Sequence, residues 1–500
     1  MNEEFTSIFG NRSNEKRWHI VCASYSGLER FAVNELQRML QNFLHYVIPV
    51  EVSENLPETT QNVLALGQAD SPLFSQLINS GAVASPEFQE GYNIACSAYP
   101  DSQNDRLITL CGKDARGVLY AVEEFNARIL GRENIQDDPK WFGKILNELP
   151  DFSFSNYPRI AYRGIWTWGY AIYDYRNFFD NMARLRFNAV TIWHDELPLN
   201  IMEVIDYAHS RGIEVILGFH CGWGKDNIDL SDPHQIEELA KRTLELYKRD
   251  YAVLPHDGIY MQTVTESNET SLKGRPVAEW ACKLYNQVGK RLLDEFPQIK
   301  RIQFGVHATS ILDDYTCFEN LDSRISLIWE DAGVIPYSYI PAPEYKVDET
   351  NKAVGLGSVE ATSQYSAKLA TLRNNAEFAM VAKGFSYIRW MTEFENHKSF
   401  ILGERSNDFI RKRLAERLPR WRKNSALWFA HYRKAVEFFR CVKTKKLREM
   451  FISALIEDGM FEARIDPAVA LFASMIWNPE QEFEAIMESS QSAWFDFNSK

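Results

Sequence analysis

Carboxylates and tryptophans recur at the ends of short apolar runs along this chain. The run from Gly258 to Val264 is β-branched and aromatic, opens on Asp257-Gly258 and reaches Glu266 before the polar cluster Ser267 to Thr270. This is the pattern of a buried strand. Other runs close in the same way. Arg163, Trp166 and Trp168 lie on the first, His194, Asp195 and Glu196 follow the second, and His220, Cys221 and Trp223 follow the third. Beyond Gln262 and Glu266 on the fourth come His307 with Asp313 and Asp314, then Trp329, Glu330 and Asp331, then Arg389, Trp390, Glu393 and Glu395. Carboxylates fixed across a cleft are what cleavage of a glycosidic bond needs, one to protonate the leaving oxygen and one to act as base or nucleophile. Tryptophan offers flat faces to sugar rings, and Arg and His offer donors to hydroxyls or a uronate.

Each of these residues has a plainer role as well. Glu266 can cap a loop, Trp166, Trp193 and Trp390 can fill a core, and His194-Asp195-Glu196 can brace a floor. His194, His220 and His307 with a nearby aspartate could instead hold a metal, although Trp166-Thr167-Trp168 stands where barrel metallohydrolases carry His-x-His. No Gly-x-Ser-x-Gly elbow occurs.

The elements that would position these residues alternate. Strand-like runs are Tyr162–Trp168, Ala189–Trp193, Glu214–Phe219, Gly258–Val264, Arg301–Val306, Arg324–Trp329 and Phe385–Trp390. Amphipathic helices lie between them, one opened by the cap Asp232-Pro233. Short apolar strands alternating with helices give a parallel sheet. Residues 156–395 are close to the roughly 250 of a (β/α)₈ TIM barrel, which gathers such strand ends on one face. An eighth strand is expected near Ala353 to Val359, out of order. Residues 1–155 read as an N-terminal α/β domain. Their Gly112-to-Gly117 stretch matches neither a Walker loop nor a dinucleotide fingerprint and reads as a tight strand-to-helix turn. Residues 396–500 read as an all-helical C-terminal domain.

Five hundred residues are enough for two or three domains. With 45% apolar and 25% charged residues the chain can bury a large core, and a net charge of −13 argues against nucleic acid as a partner. No stretch reaches the ~18 apolar residues of a membrane span. The start Met1-Asn2-Glu3-Glu4 has no secretory pattern, and seven scattered cysteines suit a reducing compartment, so the expected setting is cytoplasmic. Between Arg411 and Met450 fourteen Lys and Arg stand against three Glu, interleaved with aromatics. That basic helical face could pack on an acidic barrel or on a second copy, as a homodimer.

At this point the layout resembles the α-glucuronidases that debranch xylan and, more loosely, the hexosaminidase-like glycoside hydrolases. Pro158-Arg159 to Trp168 is similar to the first strand of that family, and Gly258 to Glu266 to the strand ending in its general acid. Arg301 to Asp314 and Arg324 to Asp331 are similar to the strands delivering its two water-activating carboxylates. The resemblance implies Glu266 as acid, with Asp313 or Asp314 and Glu330 or Asp331 polarising the water. The expected reaction is hydrolysis of a short oligosaccharide with no cofactor, and the placement of these carboxylates past the fourth, fifth and sixth strands points to inversion of configuration. As the acid, Glu266 needs a partly apolar setting, against Trp223 or Trp329, that keeps it protonated. Gln262 stands where the family carries lysine, which bears on uronic-acid specificity. Thr265-Glu266 stands where hexosaminidases carry paired acids. A non-catalytic sugar-binding barrel and a metal-dependent barrel hydrolase are the competing classes.

Overall fold

The computed structural model describes residues 17–498 apart from 42–43, 45, 59–61, 101, 131–143, 222–227, 263–264, 266–268, 331–358, 387, 389–399 and 446–448. The chain divides into two compact units, Met1–Pro158 and Arg159–Lys500.

The first unit is a six-stranded sheet. Its strands are β1 (Trp18–Cys22), β2 (Val50–Val52), β3 (Asn62–Gln68), β4 (Tyr92–Tyr99), β5 (Ser102–Gly112) and β6 (Phe152–Asn156), in the order β2-β1-β3-β5-β4-β6. All pairings are parallel except those of β4 with β5 and β6. Helices α1 (Gly27–Leu40), α2 (Pro72–Asn79) and α3 (Ala115–Phe125) each bury an apolar face. The turn into α3 is as tight as its glycines suggest, since a Cβ on Gly112 would stand 2.1 Å from the Val118 nitrogen. Asp114 caps that helix, accepting from the Gly117 amide at 2.9 Å.

The second unit is a closed parallel barrel. Its strands are β7 (Tyr162–Trp168), β8 (Ala189–Trp193), β9 (Glu214–His220), β10 (Gly258–Gln262), β13 (Arg301–Val306), β14 (Ile325–Trp329), β15 (Phe378–Phe385) and β16 (Met450–Ile456), with the hairpin β11–β12 (Ser271–Leu272, Arg275–Pro276) on the loop after β10. Six of the seven runs read from sequence fall on these strands. The seventh lies earlier than expected, at Phe378–Phe385 rather than Phe385–Trp390. The eighth does not come from Ala353 to Val359, of which 353–358 lie outside the described residues. Met450–Ile456 closes the barrel between β15 and β7. The closing strand therefore lies inside the stretch read as a separate helical domain, after the 39-residue helix Asn407–Lys445.

The strand period of two sorts the side chains. Inside the barrel, Trp166, Trp193, Ile216, Tyr260, Ile328, Ala379, Val381 and Phe451 form one apolar plug. Beneath it, Arg301 is buried, donating to Glu377 at 2.9 Å and Glu214 at 3.0 Å with its guanidinium 4.0 Å over the Tyr162 ring. A buried cation between two carboxylates closes the amino-terminal end. Outward-facing residues such as Ile192, Leu217, Met261, Phe304 and Trp329 join the larger core under the helices. Around the barrel run α4 (Tyr175–Arg184), α5 (Ile201–His209), α6 (Pro233–Leu246), α7 (Val277–Glu295), α8 (Val359–Leu372), α9 (Asn407–Lys445), α10 (Pro467–Trp477) and α11 (Phe483–Asn498). Asp232 caps α6 as its sequence suggests, accepting from the His234 amide at 2.9 Å. Among the described residues no helix is long and apolar enough to cross a membrane.

Candidate active site

Parallel strands bring all eight carboxyl ends to one face, where a barrel's loops converge. Glu330, directly after β14, is buried there. Its carboxylate is met by the Tyr260 hydroxyl from β10 and by His307 Nε2 at 3.3 Å from the end of β13. Burial alone would push its pKa up. The charges of His307 and Lys383, with the Tyr260 hydrogen bond, outweigh burial and hold Glu330 below the usual carboxylate range. Gln262, also buried, meets the same Tyr260 hydroxyl. His307 Nδ1 lies 3.4 Å from the Thr265 hydroxyl. Gly305 lies beneath: a Cβ there would come 2.1 Å from Glu330 Oε1. Only a glycine lets the carboxylate rest against β13.

The other half of the mouth was not foreseen. Lys383 sits at an irregularity in the β15–β16 register, followed by Gly384 at φ 96° and Ser386 at φ 103°. Glu457, directly after β16, accepts from the Ile388 amide at 3.0 Å and from the Trp168 indole. Burial, the adjoining Asp458 charge second, raises its pKa to about 8 against the pull of Ile388, Trp168 and Lys383. Asp458 is buried, has φ 77° and accepts from the Ser386 hydroxyl. Trp168, half-buried, packs edge-on to Trp166 and Trp193. Two carboxyls in one mouth thus sit in opposite environments, one held ionised and one held protonated at neutral pH. A signal for Glu457 existed in the sequence: Ile456-Glu457-Asp458-Gly459 ends an apolar run in the manner of the other strands.

Several expected site residues stand elsewhere. Arg163 begins the first strand facing away from the axis; it is buried, donates to the carbonyls of Ile160, Ala161 and Arg186 and lies over Trp477 of α10. It is a cation of the barrel wall at the wrong end for a rim clamp. His194 also faces outward, its Nε2 3.1 Å from the Tyr251 hydroxyl. Trp329 packs against Tyr365 of α8 and offers no apolar wall to the mouth. Trp166 fills the plug. The common cause is parity: each of the outward three neighbours an inward residue, namely Gly164, Trp193 and Ile328. Asp195 is half-buried and Glu196 exposed after β8. Asp314 is half-buried on the 3-10 turn Leu312–Asn320. Glu266, Trp223, Asp331, Arg389, Trp390, Glu393 and Glu395, with the side chains of His220 and Asp313, lie outside the described residues. Among the described residues no group of three His, Cys, Asp or Glu is arranged to hold a metal.

No known protein-family model and no curated protein matches the chain. Solved structures do. A structure described as CpGH84B aligns over 94% of this chain and 70% of its own at 12% identity, with a TM-score of 0.50. The family GH115 4-O-methyl-α-glucuronidase BtGH115A, described as specific for decorated arabinogalactans, aligns over 93% of this chain and 57% of its own (15% identity, TM-score 0.49). A β-N-acetylhexosaminidase from Bacteroides fragilis aligns over 96% and 87% (12% identity, TM-score 0.46). At such identities the likeness is one of fold, and this chain spans little more than half of the glucuronidase.

Proposed function

We propose that the chain is a glycoside hydrolase that cleaves a bond in a short oligosaccharide at the carboxyl end of its barrel. One observation carries the reading: Glu330 is a buried carboxylate kept ionised at a strand end, on a floor of aromatic rings. A carboxylate kept ionised in this way, by His307, Lys383 and the Tyr260 hydroxyl, can take a proton from water. Its partner in this proposal is Glu266, four residues after β10 in the sequence, which gives a proton to the leaving oxygen. The water attacks the anomeric carbon from the face opposite the leaving group, Glu330 accepts its proton, and the sugar leaves with inverted configuration. Such a pair stands roughly 6.5–9.5 Å apart, against about 5–5.5 Å in a retaining site. Asp313, Asp314 and Asp331 are the further candidates for orienting the water.

The finer reading is an α-glucuronidase-like specificity. Arg163, turned into the wall, cannot serve it, and Lys383, whose charge acts on Glu330, is a cation among the described residues that could meet a uronate. A panel of 4-nitrophenyl glycosides that includes glucuronides tests activity. Proton NMR of the first-formed anomer tests inversion, and net retention would overturn it. Glu266→Gln should lose about 10²–10⁴-fold on substrates with poor leaving groups and much less on aryl glycosides. Equal losses on both would remove Glu266 from the acid role.

A further inference from the structure

The ends of β15 and β16 are tied together by contacts that a loop junction does not require. Glu457 takes the Ile388 amide at 3.0 Å, and its neighbour Asp458 takes the Ser386 hydroxyl. Ser386 and Asp458 both hold positive φ, 103° and 77°, a region that Asp visits more readily than Ser. Backbone strain of this kind persists where surrounding contacts over-determine it, and it gathers at working sites. Helix α9 backs the tie from outside. Arg413 and Arg417 reach Asp458 at 3.6 Å each, and Arg413 also donates to the Tyr173 hydroxyl at 3.0 Å. Gly459 completes the turn at φ 70°, with Tyr173 where a Cβ would stand.

We propose that this clasp is part of the working site: Glu457 hydrogen-bonds a sugar oxygen at the barrel mouth, and Asp458 is the positioning residue that fixes it there. The inference rests on the glycoside hydrolase reading. Trp168 and Lys383, from the strands on either side, share the mouth with Glu457, so a ring stacked on the half-buried indole would meet this carboxyl. The groups facing it are Asp458 on its own strand, Lys383 on β15 and, behind Asp458, Arg413, Arg417 and Arg420 on α9. Glu330 on β14 shares Lys383 with it. Burial and the Asp458 charge keep Glu457 protonated at neutral pH, so it recognises the sugar as a neutral donor and not as an anion. A neutral group that only hydrogen-bonds can be replaced by an amide; a general acid cannot.

The test compares kcat and KM across pH for the wild type, Glu457→Gln, Glu457→Ala and Asp458→Asn, on whichever 4-nitrophenyl glycoside of the panel the wild type cleaves. Glu457→Ala should raise KM about tenfold, the upper end for one hydrogen bond, with kcat little changed. Glu457→Gln should keep near wild-type KM at pH 6 and lose the alkaline rise in KM near pH 8. Asp458→Asn should move that rise to lower pH, because the like charge is gone. A merely structural role would lower the melting temperature in all three without moving the alkaline limb. If Asp458→Asn does not fold, Ser386→Ala loosens the same residue and should shift the limb in the same direction. The proposal is overturned if Glu457→Gln is as impaired as Glu457→Ala, or if KM ignores both. Should the wild type cleave no glycoside, the hydrolase reading fails. The clasp is then judged by thermal shift with free glucuronic acid and N-acetylglucosamine, which must stabilise the wild type and not Glu457→Ala.

Discussion

Gly305 shows how closely the residues of the mouth are fitted. It carries no functional group, yet a methyl there would fall 2.1 Å from Glu330 Oε1. Gly305→Ala should displace the carboxylate from His307 and Tyr260, lowering kcat/KM severely while the barrel still folds cooperatively. Circular dichroism melting beside the kinetics checks this; unchanged kinetics would show that Glu330 does not work from that position. At this scale much of the site was legible. Glu330, Gln262, His307 and Trp168 are inward residues at strand ends, and the rule that strands end at the mouth finds them. Arg163, His194 and Trp329 were misplaced by one position, and in a strand one position reverses the facing. Tyr260, inside the strand, gave no polar signal: its hydroxyl matters only because Glu330, at the end of β14 two strands away, comes within its reach.

At the scale of elements, the amino-terminal rim is fixed by carboxylates of another kind. Asp257, directly before β10, accepts from the Val215 amide and His209 at 2.8 Å each and from Lys300 at 2.7 Å. Burial would raise its pKa, but these partners bring it down to about 2. A carboxyl depressed in the folded state contributes stability above its unfolded value near 4, and loses that contribution as pH falls through about 2. The contribution is on the order of 2 kcal/mol at neutral pH. Asp257→Asn should therefore be less stable than the wild type at pH 7, with the gap closing below pH 3. Urea unfolding at several pH values measures it, and a gap that widens in acid would contradict it. Strand existence was legible here and strand boundaries less so. The seventh strand begins seven residues before its expected start, in the apolar run Phe378-Ala379-Met380-Val381-Ala382 that precedes the aromatic one.

At the scale of the whole chain, the alternation of strands and helices sufficed for a barrel, and its closure did not. Between β15 and β16 lie 64 residues, most of them in α9 and outside the usual crossover length, so local pattern could not assign Met450–Ile456 to the sheet. The consequence is testable. A chain stopped before Met450 leaves β15 and β7 with open edges and should lose cooperative unfolding and solubility. A folded, monomeric product would show that the barrel closes without β16. Turnover by Glu330→Gln tests the role of the ionised carboxylate in the mouth most directly. On a glycoside that the wild type cleaves, kcat should fall about 10²–10⁴-fold, the usual worth of a general base, with the melting temperature retained. A folded Glu330→Gln protein as active as the wild type would contradict the account.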